Sequence, residues 1–209
     1  MAQLELVHPI EHVAPRSACS RADLGTIALM VRENAKVLEL GCGDGALMAL
    51  LQRQKNASVR GLEIDPGRVH TCVTRGLSVV QGDADQDLAD FPADAFDYVI
   101  LSHTLQSLRQ PRTALRHAAR IGERVIVSIT NIGHWRARFH LLRRGGMPGA
   151  LLQGEFPCSV RDFATLVSEA RLHIERAVPL SRGHAGAPFA RALWRANWFA
   201  EEAVFLLSS

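Results

Sequence analysis

A chain of 209 residues with 47% hydrophobic and 22% charged side chains can build one substantial core and is too apolar to be disordered over most of its length. Its formal net charge of +3 is small and dispersed, and the pair Arg143-Arg144 reads as a solvated face, so no nucleic-acid partner is expected. No apolar run approaches the roughly 18 residues of a membrane span, and no basic start leads into a long apolar stretch, so the expectation is a cytoplasmic protein with no membrane partner.

Residues 1–19 mix His, Pro and Ser without period and read as a flexible arm, leaving 20–209 as a single domain. "SRADLGTIALMVRENA" offers Ser20 or Asp23 as a helix cap, followed by Leu24, Ile27, Leu29 and Val31 at roughly helical spacing. It predicts an amphipathic helix over one sheet edge. A strand–helix alternation then begins: "KVLEL", a helix from Asp44 to about Gln54, "SVRGLEI", a helix from Pro66 to Gly76, and "LSVVQ". After a polar stretch come "FDYVILS" (96–102), a helix over 111–120 and "ERVIVSI" (123–129).

Beyond residue 130 the pattern loosens. A helix over 134–143 runs into a Gly-rich loop containing Met147 and Pro148, then a helix from Val160 to Ala170, the strand "RLHIERAVPL", a connection over 179–188, a helix over 188–197 and a last strand from Glu201 to Leu207. Short apolar strands separated by helices imply an α/β, Rossmann-like, doubly wound fold. The expected sheet is seven-stranded and mostly parallel, with an antiparallel C-terminal strand and helices on both faces.

The first strand ends in "ELGCGDGA", where ligands of open α/β sheets sit. Gly41, Gly43 and Gly45 allow a tight turn and a close backbone approach, ahead of a helix N-terminus. Read as G-x-G-x-x-A, with Glu63 about twenty residues further on, the pattern fits a dinucleotide. Charge separates the readings, because a pyrophosphate beside Asp44 and Glu39 would meet carboxylates, and like charges ~4 Å apart repel by ~1 kcal/mol even in water. S-adenosylmethionine carries an ammonium and a sulfonium and no phosphate, so an acid-rich turn complements it. "QGDADQDL" adds Asp83 after the third strand, where a carboxylate or the adjacent backbone can accept from an adenine amino group.

The glycine turn, Glu63 and Asp83 on three successive strand ends resemble the first three motifs of the class I S-adenosylmethionine-dependent methyltransferases, over about residues 20–130. That resemblance implies S-adenosylmethionine as cofactor, with S-adenosylhomocysteine as its product. It implies Glu63 on the ribose hydroxyls with Ile64 beside it, Gly82, Asp83 and Ala84 at the adenine, and Glu39, Gly41, Cys42, Gly43, Asp44, Gly45 and Ser102 around the methionine end. The stretches "RADLGTIALMV", "GLEIDPGRV", "GDADQDLADFPADAFDYVILSHTLQ" and "NIGHWRARFHLLRRGGMP" are more specific, and between about residues 21 and 178 they resemble the MetW family. This second resemblance implies a role in methionine biosynthesis beside MetX, the homoserine O-acyltransferase. Family members carry an aromatic-rich insert between the Gly-Met-Pro stretch and the following helix, where this chain keeps only "GALLQGEFPCSVRDF".

Methyl transfer is an in-line displacement that benefits from a base at the acceptor. His103, which follows the fourth strand, is the catalytic candidate, against the alternative of a capping or packing histidine; His134 and His140 read as packed. "SHTL" stands where an "NPPY"-type sequence would orient an amine of a nucleic acid, which argues against that acceptor class. Cys42 reads as packed under the turn, and Cys19, Cys42, Cys72 and Cys158 lack the spacing of a metal or redox pair, so no metal is expected. Trp135 with Arg136 and Arg138 reads as an acceptor wall, a partner contact or an ordinary helix. Two functions remain open: a small-molecule methyltransferase, or a cofactor-binding subunit acting through a partner enzyme.

Overall fold

The computed structural model describes residues 21–145, 156–188 and 193–209. The arm at 1–19, the cap candidate Ser20, Cys19, and Met147 and Pro148 of the Gly-rich loop lie outside the described residues. The elements are α1 (Arg21–Met30), β1 (Lys36–Leu40), α2 (Ala46–Lys55), β2 (Ser58–Glu63), α3 (Pro66–Thr74), β3 (Ser78–Gln81), β4 (Phe96–Ser102), α4 (Pro111–Ile121) and β5 (Gly122–Thr130). They continue with α5 (Trp135–Arg144), α6 (Val160–Glu169), β6 (His173–Ser181), β7 (His184–Ala185), α7 (Leu193–Phe199) and β8 (Glu202–Ser208).

All eight strands form one sheet in the order β3-β2-β1-β4-β5-β8-β6-β7. Pairing is parallel from β3 through β5, and β8 runs antiparallel to both β5 and β6. The expected seven strands are present, with the antiparallel one contributed by the last segment. The eighth, β7, is a two-residue hairpin return on β6 inside the stretch that reads as a connection. Strand order reverses between β1 and β4, so the carboxyl ends of these two strands open the crevice where ligands of such sheets bind.

The buried strands alternate side chains between two cores. Leu38, Leu40, Val99, Leu101, Val125 and Val127 face α4, α6 and α7, while Val37, Ile100 and Ile126 face α1 and α2. Period-two alternation on continuous apolar strands is what burial of both sheet faces requires. Helix starts follow local chemistry: Pro66 occupies the first turn of α3 behind Asp65, whose carboxylate accepts from the Arg68 N–H (2.8 Å), and α6 opens with a capping box between Ser159 and Asp162.

The segment after β5 is tied down by Asn131. Its buried amide donates to the carbonyls of Ala196, Asn197 and Ala200, and its side-chain oxygen accepts from the N–H groups of Gly133 and Val160. One side chain thus fixes the end of β5, the turn into α5, the start of α6 and the end of α7. Removing it leaves several buried backbone groups unpaired, each costing on the order of 1–3 kcal/mol. Asn131→Ala is expected to lower stability by roughly 3 kcal/mol in urea denaturation; an unchanged midpoint would mean that water replaces the amide.

Candidate functional site

The turn from β1 to α2 takes the shape glycine allows. Gly41, Gly43 and Gly45 have φ of 66°, 58° and 78°, in the left-handed region. A Cβ on Gly41 would lie 2.6 Å from Thr104 Oγ1, whose hydroxyl donates to the Leu40 carbonyl, and one on Gly45 would lie 2.3 Å from Leu77 Cδ1. Gly43 differs, since a Cβ there would meet nothing within 4 Å, so its backbone faces open space. The Gly43 N–H donates to Glu63 Oε2 at 2.8 Å, and the other oxygen of that carboxylate accepts from the Asp65 N–H at 3.0 Å. Glu63 is buried at the end of β2, with both oxygens aligned by backbone N–H groups.

Beside this turn lies a second group of acids. Glu39, one residue before the end of β1, is 3% exposed, and Asp23 of α1 is 2% exposed. Each holds one buried oxygen, Glu39 Oε2 and Asp23 Oδ1, without a hydrogen-bond partner. Burial first, and then the neighbouring carboxylates of Asp44, Glu63 and Asp23, push the Glu39 carboxyl well above its ordinary value. Ser102 Oγ, at the end of β4, donates to Asp23 Oδ2 at 3.5 Å. The next residue, His103, adopts φ of 54°, which aims its ring across the strand ends. Its Nε2 lies 3.2 Å from Asp23 Oδ2 and 3.9 Å from Glu202 Oε2, close enough for an ion pair but poorly aligned for a hydrogen bond, and its Nδ1 lies 3.4 Å from Thr130 Oγ1. A mouth of this kind suits a ligand bearing positive charge.

The candidates read from the sequence divide accordingly. Glu39, Gly43, Glu63, Ser102 and His103 gather around the crevice. Asp44 sits on its rim, exposed and turned toward Arg75, whose guanidinium donates to the Asp44 carbonyl (2.7 Å) and lies 3.4 Å from its carboxylate. Asp44 thus shares its charge with Arg75 on the rim while still acting on Glu39, and the buried acids with unpartnered oxygens are Glu39 and Asp23. Helix α2 accordingly starts at Ala46 rather than at Asp44. Cys42 packs beneath the turn, where a Cβ on Gly61 would strike its sulfur at 2.5 Å, and burial pushes its thiol pKa up.

Ile64 follows Glu63 with 62% of its surface exposed. Gly82 leaves room for Leu62 and Asp87, and its N–H donates to the Glu63 carbonyl. Asp83 has both carboxylate oxygens engaged within its own turn, by the Asp85 N–H and the Gln86 amide, and Ala84 packs against the core. The Asp83 carboxylate therefore shapes the loop instead of projecting from it. His134 is the N-cap of α5, accepting from the Arg136 N–H, with burial lowering its pKa; His140 lies within α5. Among the described residues, no group of three or more His, Cys, Asp or Glu is arranged to hold a metal ion, and no helix is long and apolar enough to cross a membrane.

Three residues of the site escape sequence reasoning. Asp23 reads as a cap yet stands inside the first turn of α1, facing Ser102 and His103. Thr130 reaches the histidine through the pairing of β4 with β5, and Glu202 arrives there only because β8 pairs next to β5, with Thr130 opposite Glu202. The local signal available was an acid on an otherwise apolar helix face.

The sequence model of the family described as Methionine biosynthesis protein MetW matches residues 21–207. The chain belongs to the MetW family. A Rhodopirellula baltica relative, named a bifunctional methionine biosynthesis protein MetXA/MetW, is 29% identical over 157 residues, covering 71% of this chain and 24% of its own length. A Paenibacillus malonyl-acyl-carrier-protein O-methyltransferase is 30% identical over 93 residues, covering 41% of this chain and 34% of its own. The chain thus spans between a quarter and about a third of these curated relatives.

A Thermotoga maritima S-adenosylmethionine-dependent methyltransferase, described as a possible histamine N-methyltransferase, superposes with a TM-score of 0.67 at 17% identity, covering 90% of this chain and 87% of that one. The cyclase SpnF superposes with a TM-score of 0.65 at 16% identity, covering 91% and 81%. The fold is that of the class I methyltransferases. A cyclase on the same fold shows that the fold does not choose the reaction.

The buried Glu39 carboxyl makes stability depend on pH. Its folded pKa is raised, so above the ordinary value of 4.5 the unfolded chain releases this proton first, and stability falls as pH rises toward the folded value. Glu39→Gln removes that loss. Its stability is expected to gain on wild type progressively as pH rises above the ordinary carboxylate range, with a slope approaching ~1.4 kcal/mol per pH unit while only the unfolded state ionises. Parallel pH profiles for the two proteins would show that Glu39 is solvated.

Proposed function

We propose that this MetW-family chain binds S-adenosylmethionine at the β1–β4 crevice and serves methionine biosynthesis together with the homoserine O-acyltransferase MetX. The observation that carries the reading is the pair of buried carboxylate oxygens without partners, on Glu39 and Asp23. Burial and neighbouring acids hold the proton on Glu39 in the free chain, and an ammonium or sulfonium would supply the partner that lets a buried carboxylate ionise, where a pyrophosphate would add to the repulsion. The donor set therefore fits S-adenosylmethionine better than NAD. When bound, this cofactor supplies an electrophilic methyl group on a cationic sulfur.

In this reading the open backbone at Gly43 admits the ligand, and Gly41, Cys42, Asp44 and Gly45 complete the turn around its methionine end. Each Glu63 oxygen accepts one backbone N–H, and a carboxylate has about four acceptor sites. Capacity remains for the two ribose hydroxyls. Exposed Ile64 gives the adenine an apolar floor, and the turn around Gly82, Asp83 and Ala84 supplies backbone groups at its edge. Ser102 and Asp23 close the methionine side.

His103 can take a proton from an acceptor, and Asp23 at 3.2 Å would stabilise the resulting imidazolium. That arrangement favours the second reading, an active small-molecule methyltransferase. The same contacts also hold the ring between α1 and β5, so an acceptor must first displace Asp23 or Thr130. This supports the binding role ahead of the enzymatic one. Support for the MetX partnership is the printed name of the Rhodopirellula relative, which joins MetXA and MetW in one protein.

Calorimetric titration should give binding of S-adenosylmethionine and none of NAD. Glu63→Gln, which keeps the size of the side chain, should weaken the cofactor by about ten- to a hundredfold, the scale of one or two hydrogen bonds to a charged group. Tighter binding of NAD would overturn the reading. Turnover of S-adenosylmethionine to S-adenosylhomocysteine with a small-molecule acceptor would establish the second reading in place of the first.

A further inference from the structure

All three tryptophans of the chain, Trp135, Trp194 and Trp198, lie on α5 and α7, and all three are exposed, Trp194 to 66%. On α5 they continue into Phe139 and into Leu142, which is 86% exposed, at helical intervals of four and three residues. On α7, Trp194 and Trp198 share one face, with Phe199 exposed beside them. Seven of the eleven large apolar side chains found exposed among the described residues belong to these two helices. Ala137 is the buried residue of α5, so that helix turns most of its apolar surface outward.

Each tryptophan also carries an arginine over its ring. The guanidinium carbon of Arg136 is 5.5 Å from the centre of Trp135, that of Arg138 is 4.6 Å from Trp198, and that of Arg195 is 6.0 Å from Trp194. The Arg138–Trp198 contact links the two helices into one face. With Arg143 and Arg144, the helices hold five arginines and no acid. Contiguous exposed apolar surface marks an interaction site, and tryptophan with arginine is the composition of interface hot spots.

The face borders the crevice. Helix α5 follows β5, which ends at Thr130, and α7 precedes β8, which begins at Glu202; both residues flank His103. A body seated there would cover the acceptor side of the site.

We infer that the α5–α7 face is the docking surface for a folded protein whose contact patch is apolar and ringed by carboxylates. Guanidinium forks held over indole rings match carboxylates in bidentate pairs. In a helix lying on a membrane the cations line the polar side while the rings enter the lipid; here the cations sit over the rings, and insertion would carry charge inward. The inference rests on the partnership proposed above in taking the homoserine O-acyltransferase as the occupant.

The test titrates the purified chain with the purified acyltransferase, and separately with phosphatidylserine-containing vesicles. Three proteins are compared: wild type, the double variant Trp135→Ser with Trp198→Ser, and Arg195→Glu. The inference expects wild type to bind the acyltransferase, the double variant to lose at least about tenfold in affinity, and Arg195→Glu to weaken binding more at low salt than at high salt. Cofactor affinity, measured in parallel, should stay unchanged and reports on folding; if the double variant fails that control, Arg195→Glu decides. Equal acyltransferase binding by variants and wild type would overturn the docking surface and leave the partnership standing. No binding by wild type would overturn both, and wild-type capture by the vesicles alone would assign the face to a bilayer.

Discussion

The hydrogen bond from the Gly43 N–H to the buried Glu63 carboxylate holds the binding crevice in shape. It joins the glycine turn at the end of β1 to the end of β2, and it requires a left-handed backbone at Gly43, which L-residues seldom adopt. Once Glu63 is buried there as an anion, every further acid brought to the strand ends raises the local negative charge. Glu39 answers that charge by holding its proton well above the ordinary carboxylate range. The cost of gathering these acids in the ligand-free protein and the proposed affinity for a cationic ligand would therefore have one origin, and their sizes should rise and fall together.

Much of this was legible in the order of residues. Glycine spacing after an apolar strand, an acid at the end of the next strand and a second acid after the third are local signals, and the alternating apolar runs gave the parallel part of the sheet. What escaped depends on contacts between distant segments. Arg75 comes thirty-one positions after Asp44, and nothing near the glycine turn announces that this cation will sit on its rim. Asp23 and Glu202 converge on His103 from opposite ends of the chain, through a sheet order that no local period encodes. A two-residue strand such as β7 is too short to leave a pattern.

The aromatic helices illustrate a different limit. Trp135 with its arginines could be read as wall, contact or ordinary helix, because periodicity locates an apolar stripe without saying whether a core exists to receive it. The structure resolves the point by filling the far side of the sheet with α4 and α6 and leaving the rings of α5 and α7 uncovered. A glycine turn with its buried acids and a hemmed histidine, next to such a face, is what the proposed subunit working through contact would present. The sharing of this fold with a cyclase makes the same point from outside: reaction chemistry resides in what is added around the crevice.

The position of β8 also bears on how the chain is made. Its residues, 202–208, insert between β5 and β6, so the sheet cannot be continuous until they have been synthesised. While the ribosome is still translating, the edges of β5 and β6 are both unpaired and apolar, a state that favours aggregation or chaperone capture. Thr130 and Glu202 meet in that same late pairing. The histidine end of the crevice is thus completed last, and a nascent chain that holds only the first five strands carries the glycine turn, Asp23 and Thr130 without Glu202.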